Sequence, residues 1–167
     1  MTILVLSDTH GNISPIQKLL EEYRDKADAV IHLGDYAKDI MRFAKDNKNI
    51  HIVNGNNEIP VKEYEDRVIE IGGKRIFICH GHRYQVKSGL DNLIYHAQGL
   101  NVDACLFGHT HVPECFKEHG ILFLNPGSIT YPYPQTQGGY GLLRIPEEEG
   151  DTTISGRLFP YKETAIW

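Results

Sequence analysis

The chain has 167 residues, of which 41% are hydrophobic and 23% charged, as is ordinary for a globular domain with a substantial core. Its formal net charge is −5 with histidine neutral, and lysine and arginine are scattered rather than clustered. A surface that binds duplex DNA normally shows a basic stripe, so the composition predicts no stable nucleic-acid partner. We expect a single domain over residues 1–167.

Cysteine usage and the N-terminal segment predict a cytoplasmic protein. The three cysteines, Cys79, Cys105 and Cys115, form no CxxC motif and no even set, which argues against a disulfide framework and is typical of a reducing compartment. The apolar run at residues 3–6 is too short for a signal-peptide core or a membrane span, and Asp8 follows it closely. We therefore expect a soluble protein without a membrane partner.

The first half of the chain alternates between apolar runs and amphipathic segments. Three apolar runs predict buried strands, at residues 3–6, 29–33 and 51–53. Between them, residues 14–27 and 37–47 have the apolar spacing of helices. Ser14 is the expected cap of the first helix, with Pro15 in its first turn. This alternation implies right-handed crossovers and a parallel sheet.

The second half is richer in strands. Six more are predicted, at residues 64–71, 74–79, 104–107, 121–124, 139–145 and 152–159. Gly72-Gly73 and a charged turn at residues 147–151 predict two β-hairpins, and residues 88–98 predict a helix. The expected fold class is α/β, with two packed mixed β-sheets (a β-sandwich) flanked by helices.

Side chains that can bind metal ions follow the apolar runs, at the point where each predicted strand ends. These are Asp8 with His10, Asp35, Asn56, His80 with His82, and His109 with His111. Residues i and i+2 of a continuing strand point to the same side, so His109 and His111 are expected to converge on one place. Without His82 these are seven candidate ligands, which are too many for one tetrahedral ion, and this indicates two metal ions that share a carboxylate.

Some of these residues also have a purely structural interpretation. Asp8 is in position to cap the following helix, and paired histidines on a loop are often solvated. His32 lies inside an apolar run and is interpreted as a buried core histidine. Cys79 and Cys105 are interpreted as small buried hydrophobic residues.

Five motifs, in order, resemble the pattern of the calcineurin-like metallophosphoesterases. They are D-x-H from Asp8, G-D at Asp35, G-N-N-E from Gly55, H-G-H from His80 and G-H-T-H from Gly108. The N-P-G-S turn at residues 125–128 also resembles one in small members of the family. The chain's size is similar to that of the compact prokaryotic phosphodiesterase branch. The retromer subunit shares this fold but has partly lost the metal ligands.

The resemblance implies a site with two divalent metal ions. One ion would be held by Asp8, His10, Asp35 and His111. Asp35 would bridge to the other ion, whose remaining ligands would be Asn56, His80 and His109. Mn²⁺ is the metal expected from the family, although these ligand types also suit Fe²⁺, Zn²⁺, Co²⁺ or Ni²⁺. The implied reaction is hydrolysis of a small phosphodiester by a metal-activated water.

One position departs from the family pattern. Larger phosphatases of this class carry histidine directly after the metal-binding asparagine, where it is thought to help protonate the leaving group; here that residue is Asn57. Asparagine has no useful titration, which favours diesters or activated substrates over alkyl monoesters. His82 would either replace the missing acid or orient a metal ligand. The expected catalytic residues are Asp35, Asn56, Asn57, His80 and His82.

Two asparagines are candidates for binding the substrate phosphate. They are Asn57 and Asn12, and Asn12 has an equally good interpretation as a helix cap or loop residue. Asn125 and Ser128 are expected to form a turn behind the site. The tyrosines of a Pro/Gly-rich segment, Tyr131, Tyr133 and Tyr140, either line a substrate rim or a subunit contact, or are solvated.

Other functions remain open from the sequence. They are a non-catalytic, metal-binding protein-interaction module of the same fold, a phosphomonoesterase and a nuclease. The complete ligand set disfavours the module, and the absence of a basic track in the sequence disfavours the nuclease. A small phosphodiester is the expected substrate, and a homodimer is one arrangement that the sequence allows.

Overall fold

Two five-stranded sheets form the framework of the computed structural model, which describes residues 1–44, 49–147 and 153–161. Its strands are β1 (Thr2–Leu6), β2 (Ala29–His32), β3 (Ile50–Ile52), β4 (Arg67–Ile71), β5 (Lys74–Ile78), β6 (Ala104–Leu106), β7 (Glu114–Glu118), β8 (Ile121–Asn125), β9 (Gly139–Arg144) and β10 (Ser155–Pro160). Its α-helices are α1 (Ile13–Glu22), α2 (Lys38–Ala44) and α3 (Asp91–Leu100). Short 3₁₀ turns occupy Lys62–Tyr64 and His82–Tyr84.

Both sheets are mixed. The first has the strand order β10-β9-β1-β2-β3 and the second β4-β5-β6-β8-β7. Within them, β1, β2 and β3 are parallel, as are β5, β6 and β8, whereas the flanking strands pair antiparallel. The predicted α/β sandwich of two mixed sheets is confirmed.

The alternation of side chains in β1 explains why its apolar run is continuous. Ile3 and Val5 pack into the core between the two sheets, whereas Leu4 and Leu6 face the cluster that contains residues of α1 and α2. A third cluster packs α3 against the outer face of the second sheet, with Cys79 and Cys105 fully buried. The sheets therefore lie between helices, and each central strand is covered on both faces.

The helix boundaries differ from the predicted ones. α1 begins at Ile13, so Ser14 lies inside the first turn and its predicted role as the cap was wrong. Asn12 occupies the capping position without a capping hydrogen bond from its side chain. Asp8 is not the cap either, because three residues separate it from Asn12. The helix ends at Glu22, because the next residue, Tyr23, has non-helical dihedral angles.

Two other predicted elements extend beyond the described residues. Residues 45–47, the end of the second predicted helix, lie outside them, as do most of the turn at residues 147–151 and Thr152. The hairpin that this turn closes is confirmed by the antiparallel pairing of β9 with β10. The hairpin at Gly72-Gly73 is also confirmed: Ile71 pairs with Lys74, and both glycines have positive φ.

The sequence prediction missed strand β7 and misplaced one tyrosine. β7 is an edge strand with charged residues at three of five positions, and such strands lack the apolar run that marks a buried one. Tyr140 is a buried residue of β9 stacked on Phe159, as the predicted strand at residues 139–145 implies, so its grouping with the tyrosines of the Pro/Gly-rich segment was wrong. Tyr131 and Tyr133 are exposed. No helix in the described ranges is both long and apolar enough to cross a bilayer.

Candidate metal centre

The carboxyl ends of the parallel strands from both sheets meet at one place. The backbone N–H of His109, which follows β6, donates to Asp8 Oδ2 after β1 at 3.1 Å. The Nδ1 of His80, which follows β5, is 2.7 Å from the carbonyl oxygen of Leu33 after β2. These bonds join the two sheets directly beneath the polar side chains.

This junction brings the seven predicted ligands together. One atom each from Asp8, His10, Asp35 and His111 lies within 4.8 Å of the others, and a second group of the same kind contains Asp35, His80 and His109. Asn56 adjoins the second group, with its Oδ1 3.2 Å from His80 Nε2. Asp35 belongs to both groups, which is the position that a bridging carboxylate would need.

The two groups do not form in the way that strand alternation suggested. His109 and His111 both reach this junction, but they belong to different groups, which is the division that the family resemblance implied. The strands have ended, and five of the ligands have left-handed backbone with φ between 48° and 69°: Asp8, His10, Asp35, His109 and His111. Such conformations cost about 1–3 kcal/mol each and cluster at functional sites.

The ring orientations of His80 and His111 are set by main-chain carbonyl groups. His80 Nδ1 is 2.7 Å from Leu33 O, and His111 Nδ1 is 2.6 Å from Tyr131 O. A carbonyl oxygen only accepts hydrogen bonds, so each Nδ1 must carry the proton that it donates. In the neutral ring, the lone pair is therefore on Nε2, which is the arrangement typical of metal-binding histidines.

Each of these Nε2 atoms faces a carboxylate. His80 Nε2 is 3.3 Å from Asp35 Oδ1, and His111 Nε2 is 3.0 Å from Asp8 Oδ1. Among the described residues, the buried Asp8 Oδ1 has no well-aligned hydrogen-bond donor. Lone pairs that face lone pairs repel unless a proton or a cation lies between them. The donor set therefore fits divalent metal ions, to which all these atoms could bind.

The protonation states of most of the ligands favour binding of a cation. Burial lowers the pKa of His10, and it lowers the pKa of His109 to about 4, so both rings are neutral at pH 7. Burial alone would raise the pKa of Asp8, but His111, His80 and the Ser7 hydroxyl lower it overall. The neighbouring Asp8 carboxylate raises the pKa of His111, so a proton competes with a cation at that nitrogen.

Two carboxylates that hold the site in place were missed from the sequence. Asp39 Oδ2 accepts hydrogen bonds from Thr9 Oγ1 at 2.7 Å and from the N–H of Gly11 at 2.8 Å. The carboxylate of Glu58 accepts from the N–H groups of Ala37 and Gly55, and so joins the loops after β2 and β3. In the sequence Asp39 looks like an ordinary charge in the first turn of a helix; the only signal for Glu58 was its place in the G-N-N-E motif.

Asn125 and Ser128 lie behind the site, as predicted. Asn125 Nδ2 donates to the carbonyl of Gly108 at 3.1 Å, and Ser128 Oγ donates to the carbonyl of Asp8 at 2.7 Å. His32 is fully buried, and burial lowers its pKa to about 4. Its interpretation as a core histidine is confirmed.

The remaining predicted residues lie around the two groups. Asn57 Nδ2 donates to Asp35 Oδ2 at 2.6 Å, so this side chain contacts the shared carboxylate. The ring of His82 is centred 5.4 Å from that of His80 and 6.1 Å from that of His109. Asn12 is half-buried at the start of α1, and no hydrogen bond joins its side chain to either group in the described structure.

Comparisons with known proteins agree on one family. Residues 1–148 match the calcineurin-like phosphoesterase superfamily domain. The phosphodiesterase MJ0936 of Methanocaldococcus jannaschii is 32% identical over 149 residues, covering 76% of this chain and 83% of that protein. A predicted phosphoesterase from Streptococcus pneumoniae superimposes with a TM-score of 0.72 at 34% identity, over 85% of this chain and 81% of that one. Vps29 of Entamoeba histolytica, solved with Zn²⁺, gives 0.73 at 25% identity, over 94% and 98%.

Proposed function

Because this chain belongs to the calcineurin-like phosphoesterase superfamily, we propose that it is a dinuclear metal-dependent phosphodiesterase that hydrolyses small phosphodiesters. Family membership supports a metal-dependent phosphoester hydrolase, and a phosphodiesterase is among its relatives. The observation that carries the metal assignment is the orientation of His80 and His111. Each ring donates its Nδ1 proton to a carbonyl group and turns Nε2 toward a carboxylate.

The proposed ligands follow the two groups of side chains. Asp8, His10, Asp35 and His111 would hold one ion, and Asp35, Asn56, His80 and His109 the other. When bound, two such ions would lower the pKa of a water nucleophile and neutralise charge on the phosphoryl oxygens. Mn²⁺ remains our prediction for the metal, and Fe²⁺, Zn²⁺, Co²⁺ and Ni²⁺ are compatible with the same ligands.

The protein's own residues keep the shared carboxylate in position. Asp35 Oδ1 accepts hydrogen bonds from the N–H groups of Asn56 at 3.0 Å and Asn57 at 3.2 Å. Together with the amide of Asn57 on Oδ2, these donors restrict rotation of the carboxylate without removing its charge. A substrate phosphate at the two groups would lie beside Asn57, whose side chain is exposed.

Protonation of the leaving group is the step for which the site is least equipped. Asn57 has no titratable proton to supply. Burial lowers the pKa of His82, and the neighbouring His80 and Arg83 lower it further, so this ring is neutral at pH 7. A neutral imidazole is a weak acid, which favours a role for His82 in orienting its neighbours. We therefore propose diesters and activated esters, whose leaving groups need little help, as substrates.

Hydrolysis of bis-p-nitrophenyl phosphate beside p-nitrophenyl phosphate tests the proposed function. We expect chelation to lower turnover of the diester by at least about 100-fold, because several kcal/mol of transition-state stabilisation come from the metals. Added Mn²⁺ should restore turnover, and kcat/KM should favour the diester. Circular dichroism of the chelated protein is the control for folding.

Other results of this assay would count against particular parts of the proposal. Turnover that survives chelation would exclude metal-dependent chemistry. A preference for the monoester would keep the metals but overturn the inference from Asn57. A folded protein without turnover under any of the five metals would favour the protein-interaction module. Vps29 shares the fold and was solved with Zn²⁺, so metal binding alone does not separate that alternative from an enzyme.

The substitution Asn57→His is expected to raise monoesterase activity relative to diesterase activity by about tenfold or more. A histidine at this exposed position could donate a proton to the leaving group, and a positioned general acid typically contributes 10²–10⁴-fold. The measurement is the ratio of kcat/KM values for the two p-nitrophenyl substrates. Asn57→Ala is the control, because it also removes the hydrogen bond to Asp35 but adds no acid. Equal ratios in the two variants would show that this position is not the missing acid.

Some expectations from the sequence stay predictions. They are the cytoplasmic location, the single domain over residues 1–167 and the homodimer. Binding of the substrate phosphate by Asn12 is another, because no hydrogen bond from a described residue holds its side chain toward the site.

A further inference from the structure

A cleft of about 860 Å³ opens beside His111, on the flank of the first ligand group. This volume is in the range of small-molecule binding sites. Residues 86–90 line it together with Thr110, His111, Val112, Glu114 and residues 132–134. The loop that contains Tyr133 is fastened to His111 at two points: Tyr131 O accepts from its Nδ1, and Tyr133 N donates to its carbonyl at 3.2 Å. One of the proposed metal ligands, His111, therefore lies in the wall of the cleft.

Much of this lining is apolar, and one cation projects from it. Val86, Leu90, Val112, Pro132 and Pro134 contribute apolar surface, and the ring of Tyr133 is exposed. Lys87 is exposed in the same lining, and within the described residues it forms no ion pair. The exposed ammonium group of Lys87 is therefore free to bind an anionic group of a ligand in the cleft.

Lys87 and His111 line the same cleft. Because His111 is a proposed metal ligand, a molecule whose phosphate lies at the metal centre would be able to extend one arm along this lining to Lys87. An anionic group bound by Lys87 would then belong to the same molecule as the reacting phosphate.

We propose that the cleft binds one arm of the diester and that Lys87 binds a second anionic group on that arm, making Lys87 a determinant of substrate specificity. This rests on the phosphodiesterase proposed above. The apolar lining and the Tyr133 ring suit a planar or apolar moiety, on which stacking is worth about 1–3 kcal/mol for a nucleobase. The favoured substrate class is therefore a diester with a phosphorylated, nucleoside-like arm.

Glu114 in the same lining limits where the second anion can lie. Glu114 lines the same cleft, and burial raises the pKa of its carboxyl group. The carboxylate form of Glu114 would repel a second phosphate, so we expect that phosphate on the Lys87 side. Lys87 and Glu114 should consequently have opposite effects on the same preference.

The test compares two diesters that differ only in one phosphate. They are the p-nitrophenyl ester of thymidine 5′-phosphate and the same ester with a 3′-phosphate. We expect wild type to favour the 3′-phosphorylated ester by about tenfold in kcat/KM. This is the factor that one additional charge-assisted hydrogen bond to the 3′-phosphate would contribute. Lys87→Gln should lose this preference, Lys87→Arg should retain most of it, and Glu114→Gln should increase it. Rising ionic strength should weaken it in wild type.

Lys18→Gln is the matched control, since Lys18 is an exposed lysine of α1 and the chemical change is the same. The Lys18→Gln variant should favour the 3′-phosphorylated ester to the same extent as wild type. If both diesters turn over and Lys87→Gln keeps the wild-type preference, the role of Lys87 is overturned while the phosphodiesterase stands. If wild type turns over neither diester under any metal, the proposed function itself fails.

Discussion

Replacing Asp35 with asparagine is expected to lower kcat for diester hydrolysis by about 1,000-fold. Asp35 is the residue that both ligand groups share, and it is only 2% exposed. The substitution removes one negative charge from the position between the two proposed ions. Metal ions contribute several kcal/mol to such reactions, and each 1.36 kcal/mol is a factor of ten in rate.

The variant should still fold, and this makes the result interpretable. The N–H groups of Asn56 and Asn57 donate to Asp35 Oδ1, and an asparagine oxygen can accept the same bonds. The measurements are kcat under saturating Mn²⁺, bound metal per chain and circular dichroism. Asp25→Asn is the control, because Asp25 is exposed and undergoes the same chemical change. Full turnover by Asp35→Asn with saturating metal would overturn the assignment of two ions.

The substitution Gly108→Ala is expected to displace Asp8 and so to lower activity. A Cβ atom there would overlap Ser7 Oγ and would lie 2.9 Å from Asp8 Oδ2. Both neighbours are fully buried, so neither side chain can swing away into solvent. Overpacking of this kind costs about 1–3 kcal/mol of stability. Displacement of Asp8 by even 1 Å should lower kcat by about 100-fold.

Gly99→Ala is the matched control for Gly108→Ala. Gly99 lies in α3, and a Cβ there would have no neighbouring atom within 4 Å. Because alanine favours the helix over glycine by about 1 kcal/mol, this variant should be slightly more stable and equally active. Thermal unfolding and kcat for both variants are the measurements. The geometry of the site would be wrong if Gly108→Ala matched Gly99→Ala in both.

The sequence alone was sufficient to predict the strands of the core and the types of residue at the site. A strand covered on both faces must be apolar throughout, so β1 and β2 were visible as short apolar runs. Their ends were equally visible, because carboxylates and imidazoles begin where the runs stop. The edge strand β7 was invisible for the opposite reason: an exposed edge needs charges and no apolar run.

The tertiary structure decided how those residues are combined. His109 and His111 are two positions apart in the sequence but belong to different groups, because left-handed backbone after β6 turns each ring separately. Asp39 and Glu58 hold the loops through hydrogen bonds to backbone that lies 28 and 21 residues away. Residue types and strand ends are local properties, whereas ring orientation, shared ligands and the cleft at Lys87 depend on contacts between segments distant in the chain.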